Sequence, residues 1–249
     1  MTIKSKVPVL MENNHIVKDA FILSAGLGRR LLPYTKYNPK PLVPINGRPM
    51  IEYILDALFD IRIRNIYINT YYLSDKIEKY FQMKGLTNIH IKKEDQLLDT
   101  GGGVKNGLGE ECSNPIFIIN CDALVLQNYS SLLSELRDSF IPNNMDAILA
   151  LSKVSDAIGY LGSGDFYLGK NNILETENKI TNKYVFMGIS ILNPITLGMI
   201  DKKKFSLIEI WKKLILDKKC YGKMHYHEWC HTGSGQSLAY ADKFFRERN

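Results

Sequence analysis

A turn near the start of the chain carries residue types that bind phosphate groups. Glycines at positions 26 and 28 follow a short apolar run, and Arg29 and Arg30 come next. Glycine lets the backbone approach a ligand closely and direct N–H groups at phosphate oxygens. The guanidinium of arginine can donate two hydrogen bonds to one phosphate. This turn is therefore a candidate for binding a polyanion.

Ten residues after Arg30, a lysine stands between two prolines, Pro39 and Pro41. Proline fixes its own φ and restricts the residue before it, so we predict extended backbone at Lys40. A lysine held in this way loses less conformational entropy when it binds an anion. The spacing is neither that of a Walker A loop nor that of a dinucleotide fingerprint, because Leu31 occupies the third glycine position. The alternative is a surface turn and purely structural glycines.

Asp122 follows an apolar stretch, residues 116–119, that predicts a central strand. Open α/β sheets bind ligands at the carboxyl ends of their strands, and aspartate is a hard oxygen ligand suited to Mg²⁺. Asn120, two residues earlier on the same face, is placed to hydrogen-bond a ribose. The alternative for Asp122 is a structural role, in which it caps the next segment. We expect Arg30, Lys40 and Asp122 to surround one cavity.

The elements that would position these residues alternate between strands and helices. Apolar periodicity predicts strands at residues 21–23, 65–70, 89–91 and 116–119, with helices at 50–61 and 74–81. This alternation predicts βαβ units and an α/β fold with a largely parallel sheet. In the second half of the chain, the pattern predicts strands at 147–151, 184–192 and 224–231 and helices at 207–216 and 237–245. In the first half, glycines 101–103 also predict a turn.

The composition is that of a globular protein, with 249 residues of which 45% are hydrophobic. Residues 1–18 are polar and aperiodic and predict a flexible tail, so residues 19–249 are expected to form a single domain. No apolar run approaches the roughly 18 residues that span a bilayer, and no signal peptide is evident. We therefore expect a cytoplasmic protein with reduced cysteines and no membrane partner.

The net charge of +6 is spread along the chain. Its densest run, residues 202–204, is expected to be a solvated helix start, and no nucleic-acid-binding motif occurs. The lysine excess suits small polyanionic substrates. No feature of the sequence indicates an oligomeric state.

The ordered motifs resemble those of the sugar nucleotidyltransferase family. The family pattern L-A-A-G-x-G-x-R-x-x-P-x-T followed by P-K-P is similar to LSAGLGRRLLPYT and PKP here. Further matches are LDTGGGV (98–104), INCD (119–122), GDF (164–166), FMGIS (186–190) and WCHTGS (229–234). The GGG and GDF segments look most like the branch that uridylylates N-acetylmuramic acid 1-phosphate in cell-wall recycling. Bacterial mannose-1-phosphate guanylyltransferases are similar as well.

The resemblance implies a Rossmann-like three-layer sandwich with a mostly parallel mixed central sheet, of the nucleotide-diphospho-sugar transferase (GT-A-like) type. It implies nucleotidyl transfer from a nucleoside triphosphate to a sugar 1-phosphate, with release of pyrophosphate. UTP and N-acetylmuramic acid 1-phosphate are the expected substrates, and GTP and mannose 1-phosphate the alternative. The attacking phosphate, with a second pKa of about 6, is largely ionised at neutral pH, so no general base is required. The protein must instead hold two polyanions together and offset their charge.

The residues and the resemblance together assign roles within the site. Arg30, Lys40 and Asp122 are expected to be catalytic. The expected nucleotide contacts are Ala25, Gly26, Gly28, Arg29, Arg30, Lys40, Glu94, Asp95, Gly102, Gly103 and Asn120. Gly164 and Gly188 are the sugar candidates, whereas Asp122 and His231 are the expected ligands of Mg²⁺, or of Mn²⁺ as an alternative.

His231 departs from the family pattern, which has an aspartate at this place in W-x-D. Imidazole is a softer ligand, better suited to Zn²⁺ or Mn²⁺ than to Mg²⁺. On a strand over 224–231, His225, His227, Trp229 and His231 would share one face. Three interpretations of His231 follow. It contacts the metal ion or a phosphate, it only forms hydrogen bonds within the site, or it belongs to a separate transition-metal site.

We expect an active enzyme because Arg30, Lys40 and Asp122 are all present. A catalytically silent regulatory protein that binds nucleotide sugars is the alternative from another functional class. The third hypothesis is a doubly wound α/β protein without this activity, in which the glycine turns are purely structural.

Overall fold

A computed structural model describes residues 16–109, 112–177 and 183–248. The strands are β1 (Asp19–Leu23), β2 (Pro44–Ile45), β3 (Arg48–Pro49), β4 (Asn65–Thr70), β5 (Ile89–Lys93), β6 (Ile116–Asn120), β7 (Ala123–Val125), β8 (Ala147–Ser152), β9 (Ala157–Ile158), β10 (Tyr167–Leu168), β11 (Leu174–Glu175), β12 (Val185–Leu192), β13 (Cys220–Met224) and β14 (Trp229–His231). The helices are α1 (Met50–Asp60), α2 (Ser74–Lys84), α3 (Asp99–Leu108), α4 (Tyr129–Ser139), α5 (Leu207–Leu216) and α6 (Gly235–Arg246).

The predicted N-terminal tail lies mostly outside the described residues, which begin at position 16. Val17, within the predicted tail, is buried against the core. None of the described helices is long and apolar enough to cross a lipid bilayer.

The core is built on a seven-stranded sheet in the order β13-β8-β12-β6-β1-β4-β5. β1 pairs in parallel with β4 and β6, β4 with β5, and β8 with β13. β12 is antiparallel to its neighbours β6 and β8. Of these seven described strands β12 alone is reversed, which confirms the mostly parallel mixed sheet.

Helices cover both faces of this sheet. α1, α2 and α4 pack on one face, in a core that contains Ile22. α3 and α5 pack on the other face, in a core that contains Phe21. Neighbouring residues of β1 thus point into opposite cores, as strand geometry requires. The predicted three-layer α/β sandwich is confirmed.

A third apolar cluster holds the segments that follow β1 in place. Leu31, Val43 and Ile45 are fully buried there, together with Leu238 and Ala241 of α6. Burial of large apolar side chains stabilises such contacts by roughly 1.5–3 kcal/mol each. The turns that carry Arg30 and Lys40 are therefore held against α6.

The glycine triplet that was predicted to form a turn lies within α3. A Cβ on Gly101 would be 2.3 Å from Cε2 of Phe205, and one on Gly102 would be 2.2 Å from the carbonyl oxygen of Lys203. Glycine is a poor helix former, so close packing rather than propensity explains these residues. The prediction of a turn is wrong because the local sequence does not show that residues 203–205 pack against this glycine triplet.

The single strand predicted over 224–231 is two strands in different sheets. β13 ends at Met224 on the edge of the main sheet, whereas β14 begins at Trp229 and pairs with β7 and β9. His225 is buried, and burial lowers its pKa to about 4, whereas His227 is exposed. These histidines therefore do not share a strand face with His231.

We expect Gly102→Ala to lower the free energy of unfolding by about 1–3 kcal/mol, because the added methyl group must displace the Lys203 carbonyl. Helix propensity alone predicts the opposite sign. Gly198→Ala is the matched control, since a Cβ there would have no atom within 4 Å. Urea unfolding followed by circular dichroism measures both variants. Unchanged stability in Gly102→Ala would contradict the packing of α3 described above.

Candidate active site

Asp122 is the residue around which the candidate site is organised. It follows β6, and its side chain is 11% exposed. Lys40 Nζ donates to Asp122 Oδ2, and His231 Nε2 lies 2.9 Å from the same oxygen. Three separate segments of the chain therefore meet at one carboxylate oxygen.

The surroundings of Asp122 keep its carboxyl group ionised. Burial by itself would raise the pKa of Asp122, but the Lys40 ammonium and the hydrogen bond from His231 outweigh burial. Together they hold this pKa well below its usual value. Asp122 is therefore a fixed negative charge at neutral pH.

Lys40 begins a single turn of 3₁₀ helix, Lys40–Leu42, which Val43 closes by donating its N–H to the Lys40 carbonyl. The extended backbone predicted for Lys40 is therefore wrong. Pro41 has no N–H, but a residue at the start of a turn needs none. The two prolines stiffen a turn rather than a strand, and the lysine still points into the site.

His231 is positioned by strand pairing. β14 runs antiparallel to β7, with His231 opposite Ala123, the residue after Asp122. The next residue, Thr232, donates both its N–H and its hydroxyl to the Asp122 carbonyl oxygen at 3.1 Å. The contact between His231 and Asp122 therefore follows from the register of two short strands.

A cavity of about 250 Å³, the central cavity, opens beside Asp122. Its walls come from the carboxyl ends of β1, β4, β5 and β6, where α/β sheets bind ligands. Predicted site residues in this wall are Ala25, Gly26, Lys40, Glu94, Asn120 and Asp122. A Cβ on Gly26 would have no atom within 4 Å, so packing does not require glycine at this position.

Glu94 shapes the wall of the central cavity, but both of its oxygens already accept hydrogen bonds. Asn69 Nδ2 donates to one oxygen at 2.7 Å, and Leu98 N donates to the other at 3.1 Å. Burial raises the pKa of Glu94, and these hydrogen bonds oppose that effect. A Cβ on Gly103 would lie 2.7 Å from both Asn69 Nδ2 and Glu94 Oε1. Glu94 and Gly103 therefore set the shape of the wall.

Asn69 is a site residue that the sequence analysis did not identify. It lines the central cavity, is 3% exposed, and accepts a 2.7 Å hydrogen bond from Ser24 N. The available signal was a polar residue near the carboxyl end of a predicted strand, where α/β sheets bind ligands. The contact that positions Asn69 comes from Ser24, the residue that follows β1.

Six of the eleven predicted nucleotide contacts do not line the central cavity: Gly28, Arg29, Arg30, Asp95, Gly102 and Gly103. Asp95 and Gly102 line a different cavity, behind the 94–98 segment. Arg29 is exposed and is not among the residues that line the central cavity.

Gly28, also predicted to contact nucleotide, has a positive φ of 62°, and a Cβ there would lie 2.7 Å from Thr35 Cγ2. The shape of the turn itself therefore requires this glycine.

Arg30 lines a second cavity, of about 590 Å³, together with His231 and Gly233. Arg30 Nη2 and His231 Nε2 lie 3.2 and 3.0 Å from the position of a Cβ on Gly233. The expectation that Arg30, Lys40 and Asp122 surround one cavity is therefore wrong. They line two cavities that adjoin at the contact between Asp122 and His231.

Gly164 and Gly188, the sugar candidates, line neither of these two cavities. Both have positive φ, of 102° and 77°. A Cβ on Gly188 would lie 2.9 Å from Asn120 Nδ2, and one on Gly164 would lie 2.3 Å from Lys183 Cβ. Backbone conformation and close packing account for both glycines.

Asp165 positions one wall of the second cavity. It accepts a 3.0 Å hydrogen bond from the hydroxyl of Tyr160, a lining residue, and a 2.8 Å hydrogen bond from Phe186 N. Gly164 N donates to the same tyrosine hydroxyl at 3.2 Å. The G-D-F motif therefore ties this wall to β12.

The donor set fits a metal ion that arrives with a phosphate substrate. Within the described ranges, no three His, Cys, Asp or Glu side chains come together to hold a metal ion. Mg²⁺ is commonly bound by one or two carboxylates, with phosphates and water completing its shell. Asp122 supplies one such carboxylate. The rings of His225 and His227 lie 5.3 Å apart, and no third His, Cys, Asp or Glu of the described residues joins them to hold a transition metal.

The fold is thus an α/β sandwich with Asp122 at the carboxyl end of β6 and with Lys40 and Arg30 on turns beside it. The sequence profile of the nucleotidyl transferase family matches residues 19–248. The chain therefore belongs to the nucleotidyl transferase family.

Two curated relatives and one solved structure illustrate the similarity. The chain is 29% identical over 231 residues to N-acetylmuramate alpha-1-phosphate uridylyltransferase of Caulobacter vibrioides, covering 90% of this chain and 96% of that protein. It is 28% identical over 211 residues to mannose-1-phosphate guanyltransferase 2 of Candida glabrata, covering 80% and 57%. The structure of HddC from Yersinia pseudotuberculosis, complexed with GMP-PN, has a TM-score of 0.71 at 22% identity, covering 92% and 100%, and shows the same fold.

We expect Lys40→Met to lower the free energy of unfolding by about 2 kcal/mol at neutral pH, because Asp122 loses its charged partner. The depressed pKa of Asp122 means that its contribution is complete above the ordinary aspartate pKa of about 4 and is lost as the pH falls below that value. The difference between the two proteins is therefore expected to shrink below about pH 4. Urea unfolding at several pH values measures it.

The control for this measurement is the double variant Lys40→Met with Asp122→Asn, which removes both charges. We expect its stability to depend less on pH than that of Lys40→Met. A constant difference between Lys40→Met and the wild type from pH 7 to pH 3 would contradict the ion pair.

Proposed function

We propose that this protein transfers a uridylyl group from UTP to N-acetylmuramic acid 1-phosphate and releases pyrophosphate, as a step of peptidoglycan recycling in the cytoplasm. The observation that carries the reaction class is the ionised Asp122 that Lys40 and His231 share at the carboxyl ends of the strands. The similarity to the Caulobacter vibrioides uridylyltransferase along 96% of that protein supports the choice of substrates.

In this proposal the nucleoside triphosphate extends through both cavities. Ligand pockets commonly measure about 300–1,000 Å³, so the central cavity alone, at about 250 Å³, is small for a nucleotide. The nucleoside lies in the central cavity beside Gly26 and Asn120. The phosphates pass Lys40 and Asp122 and reach Arg30. The position of Arg30 in the adjoining cavity supports this arrangement, because the triphosphate is the long part of the substrate.

Lys40 and Arg30 offset the charge that moves during the reaction. The sugar phosphate attacks the α-phosphorus, and negative charge spreads over the transferring group and the departing pyrophosphate. Preorganised cations stabilise such a transition state without having to reorganise. The attacking phosphate is already ionised, so no side chain has to remove a proton. Catalysis therefore rests on position and charge.

Asp122 would hold a divalent ion, with Mg²⁺ preferred and Mn²⁺ as the alternative. Such an ion, when bound, polarises phosphate oxygens and offsets their charge. We assign His231 to positioning, because its Nε2 is already within hydrogen-bond distance of Asp122 Oδ2. A hydrogen bond to a ligating carboxylate fixes the orientation of that carboxylate.

Mannose-1-phosphate guanylyl transfer is the second candidate. The similarity to the Candida glabrata guanyltransferase favours it, over 80% of this chain. The catalytically silent regulatory protein remains the alternative of another class.

A pyrophosphate-release screen of four nucleoside triphosphates against a panel of sugar 1-phosphates tests the function. We expect the highest kcat/KM for UTP with N-acetylmuramic acid 1-phosphate. We expect Arg30→Ala to lower turnover by about 10²-fold, since one charge-stabilising donor commonly contributes that much. Preference for GTP and mannose 1-phosphate would select the second candidate. Nucleotide binding without any pyrophosphate release would instead indicate the regulatory protein.

The ratio of activity with Mn²⁺ to activity with Mg²⁺ tests the role of His231. If His231 positions Asp122, His231→Ala lowers turnover with both ions and leaves their ratio within about twofold of the wild type. A soft imidazole ligand would instead favour Mn²⁺, so its removal would shift the ratio towards Mg²⁺. Isothermal titration of each ion in the presence of nucleotide serves as a second readout. A selective loss of Mn²⁺ affinity would contradict the positioning role.

A further inference from the structure

A third cavity, of about 390 Å³, lies on the far side of the 94–98 segment from the central cavity. Its charged lining residues are Lys93, Lys105, Lys202, Lys203, Asp95 and Asp201. The lining itself holds four lysines and two aspartates, and two of the lysines, Lys93 and Lys202, pair with carboxylates outside the lining. We call it the lysine cavity.

We propose that the lysine cavity binds a small phosphate-bearing anion at a site separate from the candidate active site. Concave sites with converging cations attract such anions. The lining also includes Gln96 and Asn106, whose amide groups can donate further hydrogen bonds. Phosphate is the shared chemistry of the ligands that such a lining can recognise.

Lys203 is the lysine most available to a ligand. Lys93 and Lys202 are paired with acidic residues at 3.1 Å, and Lys105 Nζ donates to a backbone carbonyl at 2.8 Å. Within the part of the chain that the structure describes, Lys203 has no ion-pair partner. Among the described residues its ammonium group therefore forms no direct ion pair, although Asp95 and Asp201 line the same cavity.

The walls of the lysine cavity are held in place by backbone hydrogen bonds. Phe205 N donates to Leu98 O at 3.1 Å, and Gly102 N donates to Phe205 O at 3.0 Å. The Lys105 side chain donates to Ile200 O, at the start of the segment that carries the other lysines. Both ends of that segment are therefore attached to the opposite wall, so the cavity is formed before a ligand arrives.

The lysine cavity and the central cavity share one wall but use different residues of it. Leu97 and Thr100 line the central cavity, whereas Gln96 and Leu98 line the lysine cavity. A ligand in one cavity therefore does not occupy the other.

The lysine run at 202–204 was expected to be a solvated helix start. α5 begins later, at Leu207, after a capping box formed by Ser206 and Glu209. All three lysines are exposed, and Lys202 and Lys203 line the cavity whereas Lys204 does not. Lys204 is therefore a matched control for Lys203.

An NMR titration of the full-length, isotopically labelled protein with inorganic phosphate tests the proposal. We expect saturable shifts in the amide signals of residues 95–106 and 201–205. Lys203→Glu is expected to raise the phosphate Kd at these amides at least about tenfold, because a charged hydrogen bond is replaced by repulsion. Lys204→Glu, with the same change of charge, is expected to stay within about threefold of the wild type.

Equal Kd values for Lys203→Glu and Lys204→Glu would overturn the proposal, as would shifts confined to residues 24–30 and 120–122. Thermal unfolding establishes that each variant is folded, and Lys203→Gln replaces Lys203→Glu if that variant is not. A parallel titration with glucose 1-phosphate distinguishes free phosphate from an organic phosphate by which binds more tightly. Pyrophosphate release does not enter this test, so its result is independent of the proposed function.

Discussion

The carboxylate of Asp122 is the constraint on which the rest of the site depends. A buried negative charge is stable only with cations or donors beside it. The chain supplies them from positions 82 and 109 residues away, Lys40 and His231. The third apolar cluster places the first, and the pairing of β7 with β14 places the second. The third apolar cluster and the β7–β14 pair, both outside the main sheet, therefore bring Lys40 and His231 to one oxygen of Asp122.

The fold was predicted well where a strand is buried on both faces, because such strands are continuous apolar runs. Residues 116–119 and 147–151 illustrate this. The prediction failed at Gly101 and Gly102, where contacts with residues 203–205 stabilise a helix that local propensity disfavours. It failed again over 224–231, because an alternating pattern does not reveal where the chain leaves one sheet for another. In both places the decisive contact is distant in sequence.

The site was predicted in part. Lys40 and Asp122 line one cavity as expected, but their direct ion pair was not predicted. The placement of Arg30 in an adjoining cavity was not predictable, because the spacing of residues along a turn does not indicate the direction of a side chain. Glu94 was expected to face a ligand, whereas its oxygens accept hydrogen bonds from Asn69 and Leu98. A sequence gives the donors and acceptors, and only the fold gives their partners.

The hydrogen bonds around Glu94 have a fixed direction. Ser24 N can only donate, so the oxygen of Asn69 must face it and the amide nitrogen must face Glu94. Leu98 N donates to the second oxygen of Glu94. Both oxygens therefore have to accept, which a carboxylate does and a glutamine side chain cannot. The acidic residue at position 94 is thus required by the polarity of two backbone amides, Ser24 N and Leu98 N.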